Sequence, residues 1–178
     1  MLDPLTGGPA MRISFGNRIE RITVLDVVNG LQLTSGGIDL MTTGNDVVRS
    51  SINSTGLIRT MNVGGSLTGS SGIRATGAEG RIQTLTFKRA LFGTLSTSVA
   101  LDNLTVGTDF GSSNAGSSNR MGIVTVHGSF LSGSFLRVRK KLDTLNVGRD
   151  IQEGATIQAQ SIGSQQIKGS VNGDIIIG

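Results

Sequence analysis

Six aspartates are the residues whose type and spacing could do chemistry in this chain. Asp46, Asp109 and Asp150 each stand just before an apolar residue, and Asp39, Asp102 and Asp143 each stand just after one. Paired carboxylates can serve as general acid and base if a fold brings two of them to a suitable separation. His127 is the only histidine, with no cysteine in the chain and no acidic pair nearby to complete a metal site. Arg18, Arg81, Arg120 and Lys141 form a recurring basic series, with Arg137, Arg139 and Lys140 close to the last two. Such an edge could meet an anionic polymer, a lipopolysaccharide or another subunit. Thr6-Gly-Gly-Pro9 and Gly64-Gly-Ser66 lack the Lys-Ser/Thr ending of a phosphate-binding loop.

What must position these residues is a repeat. Leu142-Asp-Thr-Leu145-Asn-Val147-Gly-Arg-Asp-Ile151 has apolar residues at positions 1, 4, 6 and 10, and the spacing recurs about every twenty residues from Ile19 onward. Position 1 is Ile19, Ile38, Ile58, Ile82, Leu101, Met121, Leu142 and Ile162. Position 4 is Ile22, Met41, Met61, Leu85, Leu104, Val124, Leu145 and the exceptional Gln165. Position 6 is Val24, the exceptional Thr43, Val63, Phe87, Val106, Val126, Val147 and Ile167. Position 10 is Val28, Val47, Leu67, Leu91, Phe110, Phe130, Ile151 and Val171.

Positions 4 and 6 alternate as in a strand, with 3 and 5 pointing outward. The steps from 1 to 4 and from 6 to 10 each demand a bend, and a second short strand follows near position 16, as in Ile73–Ala75, Leu136–Val138 and Ile157–Ala159. Glycine at position 7 (Gly44, Gly64, Gly107, Gly148) reads as a corner that wants positive φ. The expected fold is all-β: a single parallel β-helix, right-handed by analogy with crossover chirality, of about eight coils of about 20 residues. At about 4.8 Å per coil the rod would be roughly 38 Å long, with Phe110 and Phe130 stacked inside. Residues 1–18 do not match the repeat and read as an N-terminal cap or arm, with 19–178 as the solenoid. The polar tract Gly111–Asn119 and the Gly/Ser-rich stretches Thr68–Gly72 and Thr76–Gly80 read as surface loops.

Within that architecture Asp109 and Asp150 lie two coils, or about 9.6 Å, apart, near the upper limit for an inverting glycosidase pair. Ser129 intervenes, however, and Asp or Ser before an apolar residue at a turn ordinarily bonds local backbone. No Trp or Tyr is present to stack a sugar ring. The chain is therefore read as non-enzymatic, without cofactor or metal. An outward polar ladder is expected at position 5: Thr23, Thr42, Asn62, Thr86, Thr105, Thr125, Asn146 and Gln166. With Thr60, Thr84, Asn103, Thr144 and Ser164 at position 3 it resembles the array of β-solenoid ice-binding proteins. Threonine is also favoured on sheet faces for its β-propensity and cross-strand bonding, and this plainer account is preferred.

Composition fits a folded but unusual domain. Of 178 residues 27 are glycine, none is Cys, Trp or Tyr, and 37% are apolar, so the core is aliphatic and thin. The formal net charge is +4, and the scarcity of stacking aromatics weighs against nucleic acid. No apolar run is long enough for a membrane helix, and Met1-Leu-Asp-Pro4 does not begin a signal peptide.

Leu142–Ile151 and Met61-Asn-Val-Gly-Gly-Ser-Leu-Thr-Gly-Ser70 resemble repeats of large bacterial surface and adhesin-type β-helix proteins. Ile167-Lys-Gly-Ser-Val-Asn-Gly-Asp-Ile-Ile-Ile177 is similar to bactofilins, ranked second. These resemblances imply a structural rod at the cell surface or outside the cell, with the cytoplasm as the alternative. The expected behaviour is end-to-end self-association into a homo-oligomer or polymer, with an anionic polysaccharide or cell-surface polymer as further partner. The expected interface is Ile167, Val171, Ile175 and Ile177 of one copy against Met11, Ile13 and Phe15 of the next. An ice-binding or polysaccharide-active β-helix is the alternative.

Overall fold

A computed structural model describes residues 11–111, 114–117 and 119–178. Every regular element in these residues is a β-strand, and every strand pairing is parallel. Residues roughly twenty apart in sequence lie side by side, so the chain winds as a β-solenoid of about eight coils with three sides.

The first side stacks 12–15, 32–35, Ser51–Ser54, Gly72–Ala75, Thr94–Thr97, Asn114–Ser117, 135–138, 156–159 and Asp174–Ile177. The second stacks 19–24, 38–43, Ile58–Val63, Arg81–Phe87, Ala100–Val106, Arg120–Val126, 142–147 and 162–167. The third is narrow: Val28 pairs with Val47, and single bridges carry the column through Leu67, Leu91, Phe110, Phe130 and Ile151 to Val171. The strand Arg12–Val24 turns the corner between first and second sides, so residues 12–15 and Arg18 already pair with the following coil.

The four columns counted in the sequence are the columns of the structure. Each position 1, 4 and 6 residue is the register partner of its counterpart one coil on, and position 10 forms the third side. Stacking explains the repetition: a coil advances only about 4.8 Å, so a side chain fits best on one of its own kind. From Ile38 to Val147 the residues at positions 1, 4 and 6 are at most 2% exposed. The Phe110 and Phe130 rings stack with centroids 4.6 Å apart. Thr43, the polar residue in column 6, is buried because its hydroxyl donates to the Asn45 carbonyl at 2.9 Å.

Two expectations are corrected. The tract Gly111–Asn119 is not simply a loop: Asn114–Ser117 is a strand paired on both edges, and Ala115 is fully buried. Polar sequence can enter here because alternate residues face outward and one of the two inner columns of the first side, that of Ser35, Ser54, Ala75 and Thr97, is built of small residues. Ser112, Ser113 and Ser118 of that tract, like residues 1–10 of the expected arm, lie outside the described residues.

The second correction concerns glycine. Gly44, Gly64, Gly107 and Gly148 do not have positive φ, which belongs instead to Gly30, Gly77, Gly133, Gly154 and Gly178. A Cβ at each of the four would land on the backbone carbonyl one coil below: Leu25, Gly44, Lys88 and His127 respectively. Close backbone approach at a stacked corner, not handedness, is what these glycines answer to.

Candidate functional site

The third-side aspartates are built into the backbone of the next coil. Asp46 Oδ1 accepts from the Ser66 N–H at 2.6 Å, Asp109 Oδ1 from Ser129 N–H at 2.8 Å, and Asp150 Oδ1 from Ser170 N–H at 2.8 Å. Each carboxylate also occupies the space a Cβ would need at Gly65, Gly128 or Gly169. An Asp at position 9 is thus matched one coil later by Gly-Ser. The serines extend the chain of bonds, Ser66 Oγ accepting from Ala90 N–H and Ser129 Oγ from Asp150 N–H, both at 3.3 Å. This Asp-then-Gly-Ser match was visible in the sequence as residues 19 or 20 apart, but it is the register that gives it meaning.

The second group of aspartates meets the basic series. Asp39 pairs with Arg18 from one coil below and, at 3.7 Å, with Arg59 from the coil above. Asp102 accepts from Arg81 Nε at 2.7 Å. Asp143 accepts from Arg120 Nε at 2.6 Å and pairs with Lys141 Nζ at 3.0 Å. Hydrogen bonds from Arg120 and then Lys141 hold the Asp143 carboxyl below its ordinary value, and the bond to Asp102 raises Arg81 above its own. The edge drawn from Arg18, Arg81, Arg120 and Lys141 is a ladder of ion pairs. Its charges are partly solvated and contribute little stability each.

The position 5 ladder lies outward along the second side in unbroken register from Thr23 to Gln166. Its members bond one another: Asn146 Nδ2 donates to Thr125 Oγ1 at 3.3 Å, and alongside, Ser164 Oγ meets Thr144 Oγ1 at 3.2 Å. Such bonds stabilise adjacent coils. The exposed Ile123 interrupts the neighbouring column. His127 is exposed at a corner, beside a shallow depression lined by Thr125, Asn146, Gln166 and Lys168. Among the described residues no three His, Cys, Asp or Glu side chains gather as a metal site.

The residues expected at the interface divide between the two end coils. Met11 and Phe15 are exposed at one end, with Ile13 half-buried beside them; Val171 and Ile177 are exposed at the other, with Ile167 and Ile175 half-buried. Counting missed Leu25 and Val27, also exposed, and the half-buried Ile19, Ile22, Val24 and Ile162, which complete the same two surfaces. The signal for these four was their place in the first and last members of the columns.

Comparison with protein-family models, with curated proteins and with solved structures returns no match. The architecture itself defines the class: a parallel β-solenoid repeat protein. No helix of the described residues is long and apolar enough to cross a membrane.

Proposed function

We propose that this chain is a non-enzymatic structural rod of the cell surface that associates end to end through its terminal coils. The observation that carries the proposal is the contrast between equivalent residues along one column. Ile38 to Leu142 in column 1 are at most 1% exposed, whereas Ile19 and Ile162 at its two ends are not buried. The same holds for Ile22 in column 4 and for Val24 and Ile167 in column 6. Strand edges at both ends carry N–H and C=O groups of the kind that pair with a further strand. A second copy offers the matching pattern, because its columns have the same spacing and the same residue types.

Surface localisation rests on the likeness of the repeats to bacterial surface β-helices. The six aspartates support the non-enzymatic reading, since they accept from backbone N–H groups or from neighbouring cations. Sedimentation velocity over a wide concentration range, with electron microscopy, tests assembly. The expected result is a concentration-dependent series of rods that Ile175→Lys with Ile177→Lys abolishes while circular dichroism is unchanged. A wild-type chain that stays monomeric at every concentration overturns the proposal.

A further inference from the structure

The first side carries a groove of about 610 Å³ that neither the aspartates nor the end coils use. It is lined by Arg49 and Arg74 together with Gln32, Ser51, Asn53 and Thr94, and no acidic residue borders it. The register explains the hollow. Gln32, Ser51, Gly72 and Thr94 form one outward column on successive coils, and Thr34, Asn53, Arg74 and Ser96 form the next. Gly72 carries no side chain in the first column, where the Thr94 hydroxyl leans over it, and the turn Thr68–Ser71 stands beside it as a wall, closed by the Ser71 N–H bond to the Thr68 carbonyl.

The walls are held from behind. Ser50 Oγ accepts from Leu31 N–H at 3.0 Å and donates to the Val48 carbonyl at 2.7 Å. Ser71 Oγ accepts from Ser50 N–H at 3.2 Å and donates to the Val47 carbonyl at 3.0 Å. Both serines are at most 3% exposed, so the corners that carry Arg49 and the Thr68–Ser71 turn are preorganised. Arg49 is the only non-glycine residue with positive φ among those described, at 45°. Strain of that kind costs energy that packing must over-determine, and it concentrates where a side chain has to be aimed. Arg49 Nε donates to Asn29 Oδ1 at 3.2 Å, which steers the guanidinium.

We propose that this groove binds an acidic oligosaccharide, its carboxylate or sulfate groups held by Arg49 and Arg74 and its hydroxyls by the amides and hydroxyls between them. Guanidinium forks match planar oxyanions. Asn, Gln, Ser and Thr both donate and accept, as sugar hydroxyls do. No aromatic side chain lines the groove, so neither a nucleobase nor a sugar face is stacked there and the ligand is held through its charges and hydroxyls alone. Arg49 lies four residues before Asn53, the coil neighbour of Arg74, so the two arginine Cα atoms are within roughly 14 Å by strand rise and coil step. That span suits a short segment of a chain carrying repeated charges, and it stands independently of the rod reading.

Titration calorimetry of the whole chain with a hexameric oligogalacturonate, a heparin-derived hexasaccharide, maltohexaose and a single-stranded oligothymidylate tests this. One or both acidic saccharides should bind, their difference identifying the oxyanion, and maltohexaose should not. Arg74→Gln and Arg49→Gly should each weaken binding roughly tenfold or more, as expected for losing a charge-assisted pair. Arg139→Gln, outside the groove, should leave it unchanged. Arg49→Gly places glycine at a positive φ and Arg74 is exposed, so both variants fold. Failure of both acidic saccharides to bind, unaltered binding in both Arg74→Gln and Arg49→Gly, or equal binding of oligothymidylate overturns the proposal.

Discussion

Replacing Asp109 by alanine removes the acceptor of a backbone N–H that has little access to water. Ser129, the donor, is 6% exposed, whereas Ser170, the donor to Asp150, is exposed. The two bonds have the same length, so the substitutions differ mainly in what happens to the abandoned N–H. A buried donor without a partner costs about 1–3 kcal/mol, and at Ser170 water takes over the bond and leaves a cost of roughly 0.5–1 kcal/mol. For a chain of this size 1 kcal/mol moves the melting temperature by about 2–4 °C. Taking the middle of each range, Asp109→Ala should melt roughly 4–8 °C below wild type and Asp150→Ala only about 1.5–3 °C below, by the same conversion. Asp109→Asn, which keeps an oxygen acceptor in place, should recover more than half of the loss. Differential scanning calorimetry on the three variants checks the order. If Asp150→Ala were as damaging as Asp109→Ala, or Asn no better than Ala at 109, the carboxylates would not act as acceptors for the coil above.

The corner glycines give a second contrast. Gly64→Ala should lose about 2–3 kcal/mol in urea unfolding because its Cβ would meet backbone atoms of Gly44 and Thr43, which cannot yield without parting the coils. Gly116→Ala, whose nearest neighbour would be the Arg137 carbonyl oxygen at 3.9 Å, should be neutral or slightly stabilising. Acid should act through Asp143: its folded pKa lies below its unfolded one, so its contribution is full at neutral pH and fades as pH falls below about 4. Asp143→Asn should flatten that limb of a stability-versus-pH curve. Finally, Arg49→Gly should raise the melting temperature modestly, by relief of about 1 kcal/mol of backbone strain.

What was legible in the sequence was whatever repeats one coil later, and what was hidden was whatever depends on two unlike residues meeting across coils. Ile38, Ile58 and Ile82 announce their column because each packs on its own kind. Arg18 and Asp39 look like separate features, one a basic edge and the other a candidate acid, until the register sets position 0 of one coil against position 2 of the next. The tract around Ala115 was misread for a related reason. Ala115 takes the place held by Leu95 and Leu136 in the adjoining coils, while the second inner column of this side runs through Ser35, Ser54, Ala75 and Thr97, so a stretch with a single small apolar residue can be built in. A period of apolar residues cannot report a column built of small polar ones.

The groove follows the same logic at the next level. Arg49, Gly72 and Arg74 form no motif in sequence, and nothing about their spacing suggests a ligand. They converge because the turn Thr68–Ser71, one residue longer than the corresponding 48–50 of the coil below, builds a wall on one side of a column that lacks a side chain at Gly72. In a solenoid the repeated positions are consumed by stacking, and ladders such as Asp109 with Ser129 or Arg81 with Asp102 consume the polar residues that recur with them. Specific recognition must then come from the departures: a coil with extra residues, a side chain missing from a column, a backbone held at positive φ. Arg49, Gly72 and the Thr68–Ser71 turn are three such departures within two successive coils, and that coincidence is the reason to look for a ligand there before looking anywhere on the regular faces.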